Sequence, residues 1–101
     1  MIISGGGRCN VTTGLFKTSE LLTKYPRGAE FLVPALKNFG PKAIRRRFES
    51  HGVSLKQEPD GRIFPVSDDG KEIVSVFEKL FQHAGVHVHL KEGVTQLIGL
   101  P

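Results

Sequence analysis

The sequence predicts an α/β fold, which takes an α+β form in the isolated chain. A wide apolar stripe at helical spacing over 69–84 predicts an amphipathic helix. Two short apolar segments around the Pro-Asp-Gly turn at 59–61 predict a β-hairpin. Alternating apolar and polar residues at 86–90 predict a further strand. With 101 residues, the chain is long enough for one small domain.

Composition and charge indicate a folded chain with a basic surface. Hydrophobic residues make up 39% of it, and its formal net charge is +4. This charge favours an anionic partner without choosing among nucleotide cofactors, nucleic acids and acidic lipids. The sequence has no run of about 18 apolar residues and no signal-peptide pattern, so we expect no membrane association. Because Cys9 is the single cysteine, an internal disulfide is excluded and a cytoplasmic location is expected.

The first part of the chain is rich in turn-forming residues. Residues 1–14 are predicted to form a glycine-rich loop, and Ile2 and Ile3 suggest the stub of a strand before it. Residues 15–28 have turn signals near their end and are interpreted as an irregular connection.

A helical segment is predicted over 29–52. Apolar residues at three- and four-residue spacing favour a first helix within 29–39, although Pro34 is unfavourable inside it. A second helix is predicted over 41–51, because its first residue is a proline and because Gly52 suits the left-handed position after a helix.

The next two predicted elements are a hairpin and a long helix. The hairpin occupies 53–67, with strands at 53–56 and 62–66; Pro65 restricts the second strand to an edge, an end or a bulge. The helix over 69–84 has Asp69 as its cap, with a capping-box-like glutamate three residues on. The segment 69–101 is completed by strands at 86–90 and 94–98.

The residues 4–12, Ser-Gly-Gly-Gly-Arg-Cys-Asn-Val-Thr, carry the strongest chemical signal. Consecutive glycines allow positive φ angles and close approach to a ligand, and free backbone N–H groups in such a loop can point at one anion. Arg8 adds donors that suit phosphate oxygens. The loop is not a P-loop, and Asn10 stands where a dinucleotide fingerprint needs its third glycine. An anion-binding loop and a plain glycine-rich turn both remain open.

Three other features have two interpretations each. The three arginines at 45–47 form either a solvated basic face or a contact for phosphate or an acidic partner. Cys9 is either a reactive thiol or a packed one, and a single cysteine argues against disulfide exchange. The histidines at 83, 87 and 89 are better explained by exposed positions than by a metal site, so no metal is predicted.

Two sequence blocks resemble those of a bacterial flavoprotein family. Residues 3–12, which include the glycine-rich stretch, are similar to the signature of NAD(P)/FAD-dependent oxidoreductases of the aminoacetone-oxidase type. Residues 61–67, Gly-Arg-Ile-Phe-Pro-Val-Ser, resemble a second block of the same family. Tyr25-Pro26 and the closing valines also fit, so the resemblance spans nearly the whole chain. Thr13 departs from the family, which usually has asparagine there.

The resemblance implies a glutathione-reductase-type flavoprotein that binds FAD, acts on a small-molecule substrate and has NAD(P)H as a candidate electron donor. It implies that Ser4 to Asn10 line the pyrophosphate and ribityl part of FAD, with Arg8 as a cation on the phosphate or isoalloxazine side. Asn10 and Thr12 would donate hydrogen bonds, and the backbone of Val94 would contact adenine. Arg62 is a weaker candidate, and anchoring of the hairpin is its alternative role. The implied cofactor-binding residues are Ser4, Gly5, Gly6, Gly7, Arg8, Cys9, Asn10, Thr12 and Val94; catalytic residues are not identified.

Members of that family begin with a strand–Gly-x-Gly-x-x-Gly–helix unit upstream of these blocks. We therefore expect residues 1–101 to be a single partial domain, an internal fragment that by itself is inactive, lacks tight FAD binding and self-associates.

The alternative is a non-enzymatic basic module, in which the 45–47 arginines bind an anionic partner such as RNA. Flavin absorbance would favour the first hypothesis, and salt-dependent nucleic-acid affinity the second. Under the flavoprotein hypothesis, we expect no nucleic-acid partner.

Overall fold

The computed structural model describes residues 1–99. A 3₁₀ turn at Ser4–Gly7 opens the chain. The helices and strands then follow in this order: β1 (Thr12–Thr13), α1 (Thr18–Leu22), α2 (Ala29–Asn38), α3 (Pro41–Ser50), β2 (Leu55–Gln57), β3 (Arg62–Pro65) and α4 (Gly70–Ala84). Among these residues, no helix has both the length and the hydropathy that a membrane crossing needs.

The three strands form one antiparallel sheet in the order β1-β3-β2. β2 and β3 are the predicted hairpin, in which Lys56 pairs with Phe64. The Glu58 N–H donates to the Arg62 carbonyl at 2.8 Å, and Gly61 closes the turn at φ +89°. A three-residue hairpin loop commonly ends in a glycine of this kind. Pro65 is the last residue of β3, which is the central strand, so of the three predicted places for this proline the strand end is the one observed.

The core lies between one face of the sheet and helices α3 and α4. Phe48 of α3 meets Phe77 of α4 edge to face, with ring centroids 5.8 Å apart. Because successive strand side chains point to opposite faces, Ile63 faces this core while Phe64 faces away from it. The core consists of Cys9, Phe48, Val53, Leu55, Ile63, Ile73 and Val76.

The longer helices form where the sequence predicts them. α2 continues through Pro34, and α3 is followed by Gly52 at φ +84°. α4 is capped by Asp69, whose carboxylate accepts from the Lys71 N–H at 2.9 Å. The other half of the predicted capping box is absent, because the Glu72 carboxylate accepts from the Ser67 hydroxyl instead.

Three expectations about local structure are wrong. Ile2 and Ile3 lie in an exposed turn and not in a strand stub. The connection 15–28 is not wholly irregular, because it contains α1, whose Leu21 is buried. The segments 86–90 and 94–98 are not strands. Strands need a neighbouring strand with which to pair, and within residues 1–99 these segments have none, so their apolar side chains stay exposed. The last two residues of the predicted 69–101 segment lie outside the described residues.

Candidate functional site

The glycine-rich loop is a tight turn that bonds to itself. Gly5, Gly6 and Gly7 have φ angles of +57°, +67° and +87°, which explains the run of three glycines. The Cys9 N–H donates to the Ser4 carbonyl at 3.0 Å, and the Arg8 N–H to the Gly5 carbonyl at 3.4 Å. The expectation that these N–H groups point at an anion is therefore wrong for Arg8 and Cys9 in this conformation.

The first two glycines have different surroundings. A Cβ on Gly5 would lie 2.9 Å from the Asn10 backbone nitrogen and 3.1 Å from Cε1 of Phe64. Gly5 is thus required for packing as well as for its φ angle. A Cβ on Gly6 would meet nothing within 4 Å, so the backbone at the tip of the loop lies open.

Cys9 fixes the far end of the loop in the core. Its side chain is 5% exposed and belongs to the same core cluster as Ile73 and Val76, although its φ angle is +60°. A non-glycine residue in this region is strained and persists only where its surroundings hold it. A Cβ on Gly70, the first residue of α4, would lie 3.0 Å from the Gly7 carbonyl oxygen and 3.4 Å from Cβ of Cys9. This packing favours the packed-thiol interpretation of Cys9 over the reactive one.

Arg8 is held by two carboxylates and one aromatic ring. Its Nη1 lies 2.7 Å from Oε1 of Glu58 and 3.4 Å from Oδ1 of Asp68. Its guanidinium carbon lies 3.8 Å from the ring centroid of Phe64, which is fully buried. The hydrogen bond to Glu58, more than any other contact, raises the pKa of Arg8 above its ordinary value. The structure thus places this predicted cofactor residue in a contact between the loop and the hairpin.

The ion pairs continue from Arg8 to β2. Asp68 Oδ2 accepts from Nζ of Lys56 at 2.8 Å, and Asp68 adopts φ +56° just before α4. The hydrogen bond from Lys56, followed by the one from Arg8, lowers the pKa of the Asp68 carboxyl. We call Arg8, Lys56, Glu58 and Asp68 the charge cluster; it joins the loop, the hairpin and the start of α4.

Arg62 stabilises the hairpin turn, in line with its weaker candidacy as a ligand. Its Nε donates to Oδ2 of Asp60 at 2.7 Å, and its backbone N–H to Oδ1 at 3.1 Å. The backbone hydrogen bond is the main reason that the pKa of Asp60 is lowered. The guanidinium carbon of Arg62 also lies 5.2 Å from the Phe64 ring centroid.

Two clefts open on either side of Asn10. The first, which we call the hairpin cleft, has a volume of about 390 Å³ and a mixed polar and apolar wall. It brings together Asn10, Thr12, Thr13, Tyr25, Leu36 and Arg62. The second, the helix cleft, has a similar volume of about 390 Å³ and a mostly apolar wall. It brings together Ser4, Cys9, Asn10, Phe39, Phe48 and Phe77.

The structure separates the predicted site residues into groups. Ser4, Cys9, Asn10 and Thr12 line one or both clefts. The predicted site residues that line neither are Gly5, Gly6, Gly7, Arg8 and Val94, and Val94 lies exposed in the irregular segment after α4. Tyr25 and Thr13 were missed as wall residues. The sequence does not identify them as wall residues, because it predicts neither β1, which contains Thr13, nor α1, which precedes Tyr25.

The arginines at 45–47 of the alternative hypothesis do not act as one group. Nε of Arg45 donates to Oε1 of Glu49 at 2.9 Å, one helical turn away, and the side chain is only partly exposed. Arg46 and Arg47 are exposed. The helix thus presents fewer unpaired cations than its sequence suggests.

The family of the chain follows from a comparison with known families. The family model described as the HI0933-like protein Rossmann domain matches residues 1–99, which include both sequence blocks and both clefts. Rossmann domains are α/β folds that bind nucleotides beside a glycine-rich turn. The match confirms the predicted fold class and indicates a nucleotide-binding module related to the FAD-binding oxidoreductases. The chain belongs to the HI0933-like protein Rossmann domain family.

Proposed function

We propose that this chain binds FAD through its glycine-rich loop, as part of an oxidoreductase of the aminoacetone-oxidase type. In this proposal the open backbone at Gly6, with the half-buried Gly7 beside it, faces the pyrophosphate and ribityl part of the cofactor. Asn10 and Thr12 donate hydrogen bonds from the adjoining cleft walls, and the backbone of Val94 is the remaining candidate contact, to adenine. The protein works in the cytoplasm on a small-molecule substrate, with NAD(P)H as a candidate electron donor.

The observation that carries the proposal is the open backbone of Gly6. Gly6 is exposed and a Cβ there would touch nothing, so its positive φ angle, and not packing, requires a glycine, and its backbone is left accessible to a ligand. Bare backbone beside a nucleotide is what allows phosphates to approach closely. The loop that carries Gly6 is also fixed in position, since Gly5 packs on Phe64 and Cys9 lies in the core.

The residues around the loop fit a ligand that has both polar and aromatic parts. Asn10 is exposed and borders both clefts, one with a mixed wall and one with an apolar wall. Thr12 adds a hydroxyl in the hairpin cleft. Ligand sites commonly combine an apolar wall with a few placed polar groups. FAD, when bound, supplies the redox chemistry, while these residues bind and orient it.

Measurement of flavin binding by the full-length gene product tests the proposal. Flavin absorbance of the purified protein and quenching of flavin fluorescence on titration give the affinity. We expect Gly6→Ala to weaken FAD binding about tenfold, because its methyl group would occupy the approach path of the cofactor.

Gly85→Ala is the matched control. Gly6 has φ +67° and ψ +30°, and Gly85 has φ +70° and ψ +24°; a Cβ on either would meet nothing within 4 Å. Both substitutions therefore impose the same backbone strain, one in the loop and one at the end of α4. Equal FAD affinity in the two variants would overturn the assignment of the loop. A colourless protein without FAD affinity, but with strongly salt-dependent affinity for RNA, would favour the basic-module alternative.

A further inference from the structure

The charge cluster is electrically balanced. Arg8 and Lys56 supply two positive charges, and Glu58 and Asp68 supply two negative ones. Arg8 is the shared member at the loop end, with one nitrogen within 3.4 Å of both carboxylates. A guanidinium whose charge is cancelled in this way attracts a phosphate less than a free one, because the carboxylates repel the same anion.

The position of Arg8 also serves the shape of the loop. The loop contacts the remainder of the fold at Gly5, which packs on Phe64, and at Cys9, which lies in the core. Arg8 adds a further contact, since it stacks on Phe64 and bonds to the hairpin at Glu58. Gly6, whose backbone is open, lies between these fixed points.

We propose that Arg8 is a positioning residue that holds the glycine-rich loop against Phe64 and the hairpin, and that it does not contact the phosphates of FAD. This inference rests on the proposed function of the loop. Arg8 acts by ordering the loop before the ligand arrives, which lowers the conformational cost of binding. The open backbone at Gly6 and the side chain of Asn10 then contact the ligand.

The substitution Glu58→Gln separates this role from direct phosphate binding, because the two roles predict opposite effects. If Arg8 positions the loop, losing its charged partner loosens the loop, and FAD affinity falls about threefold. If Arg8 binds phosphate, removing the competing carboxylate strengthens FAD binding. An FAD affinity that rises or stays unchanged therefore overturns the proposal.

Glu49→Gln is the control for the charge change. Glu49 pairs with Arg45 on α3 at 2.9 Å, so its substitution removes the same charge and a similar ion pair away from the loop. We expect Glu49→Gln to leave FAD affinity unchanged or slightly raised. A drop equal to that of Glu58→Gln would show that any lost ion pair has this effect, and would also overturn the proposal.

Arg8→Lys gives a second, independent comparison. Lysine keeps the charge and binds phosphate well, but lacks the planar group that stacks on Phe64. A positioning role predicts that Arg8→Lys loses about as much FAD affinity as Arg8→Gln. Retention of wild-type affinity by the lysine variant alone would identify Arg8 as a phosphate ligand.

Amide hydrogen exchange tests the positioning role without FAD. The Cys9 N–H is bonded to the Ser4 carbonyl across the loop, so its exchange rate reports how often the loop opens. We expect Glu58→Gln to raise this rate about threefold and Glu49→Gln to leave it unchanged. If the wild-type protein binds no FAD, the proposed function fails, while the exchange rates still decide whether Arg8 orders the loop. An unchanged rate in Glu58→Gln overturns the proposal.

Discussion

The guanidinium carbon of Arg8 lies 3.8 Å from the centroid of the Phe64 ring. This contact joins the two sequence blocks that resemble the flavoprotein family, one in the loop and one in the hairpin. The hydrogen bond from the Val11 N–H to the Ile63 carbonyl, at 2.8 Å, joins them a second time. The two blocks therefore form one structural unit, in which the hairpin supports the loop.

Phe64→Ala tests the stability that this unit contributes. Phe64 is fully buried, and its removal leaves a cavity beneath Arg8 and Gly5. We expect the free energy of unfolding to fall by about 3–5 kcal/mol, measured by urea denaturation. Phe31→Ala is the control, because that ring is 87% exposed and its loss should change stability by less than about 0.5 kcal/mol. Equal effects of the two substitutions would contradict the account of Phe64.

Gly5→Ala should destabilise the fold more than Gly6→Ala. Both positions have positive φ, but only the Cβ on Gly5 would collide, at 2.9 Å, with the Asn10 backbone nitrogen. Strain alone predicts a loss of about 1 kcal/mol for Gly6→Ala, and the added collision raises the loss for Gly5→Ala above about 2 kcal/mol. Thermal unfolding of the two variants gives the comparison. A larger loss in Gly6→Ala would show that the loop packs differently.

Asp69→Ala tests the cap of α4. The Asp69 carboxylate accepts the Lys71 N–H at 2.9 Å, so its removal leaves that backbone donor without its partner. We expect a loss of about 1 kcal/mol in the free energy of unfolding. Asp69→Asn keeps an acceptor oxygen and should restore most of this stability in the same denaturation assay. An asparagine variant as unstable as the alanine variant would mean that charge, and not the cap hydrogen bond, stabilises this helix end.

Acid should destabilise the protein through Asp60 and Asp68. The pKa of each is lowered in the folded protein, by hydrogen bonds from Arg62 and Lys56 respectively. A lowered folded pKa stabilises the fold above the unfolded value of about 4, and this stability is lost as pH falls through the lowered value. The urea concentration at the midpoint of unfolding should therefore decrease as the pH is lowered below about 4.

The double variant Asp60→Asn, Asp68→Asn lacks both titrating groups. Its urea midpoint should be lower than that of the wild type at neutral pH and should depend less on pH in the acid range. Because both carboxylates are exposed, we expect the difference in urea midpoint between the variant and the wild type to be modest. A variant that retains the full acid sensitivity of the wild type would assign that sensitivity to other groups.

The sequence predicts the elements that local signals define. α3 and α4 carry a proline at the start or an aspartate cap, and each is followed by a glycine at positive φ. The hairpin likewise follows from Pro59-Asp60-Gly61 at its turn. Such signals act within a few residues, so they specify these elements without contributions from tertiary contacts.

Features that depend on distant neighbours could not be predicted in this way. β1 forms because Thr12 pairs with Ile63, and the local sequence around Thr12 does not predict this partner. The alternating pattern at 86–90 predicts a strand, but this prediction is wrong because the described residues contain no neighbouring strand with which the segment could pair. The contacts of Arg8 with Glu58 and Phe64 also depend on the fold, so the motif alone indicated a free cation.

Backbone amide chemical shifts during a titration with FAD test the central claim most directly, because they show where the cofactor binds. We expect the largest shift changes at Gly6, Gly7 and Asn10, with one common dissociation constant, and no response at Gly85. Shift changes absent from the loop, or confined to the segment 86–98, would contradict it.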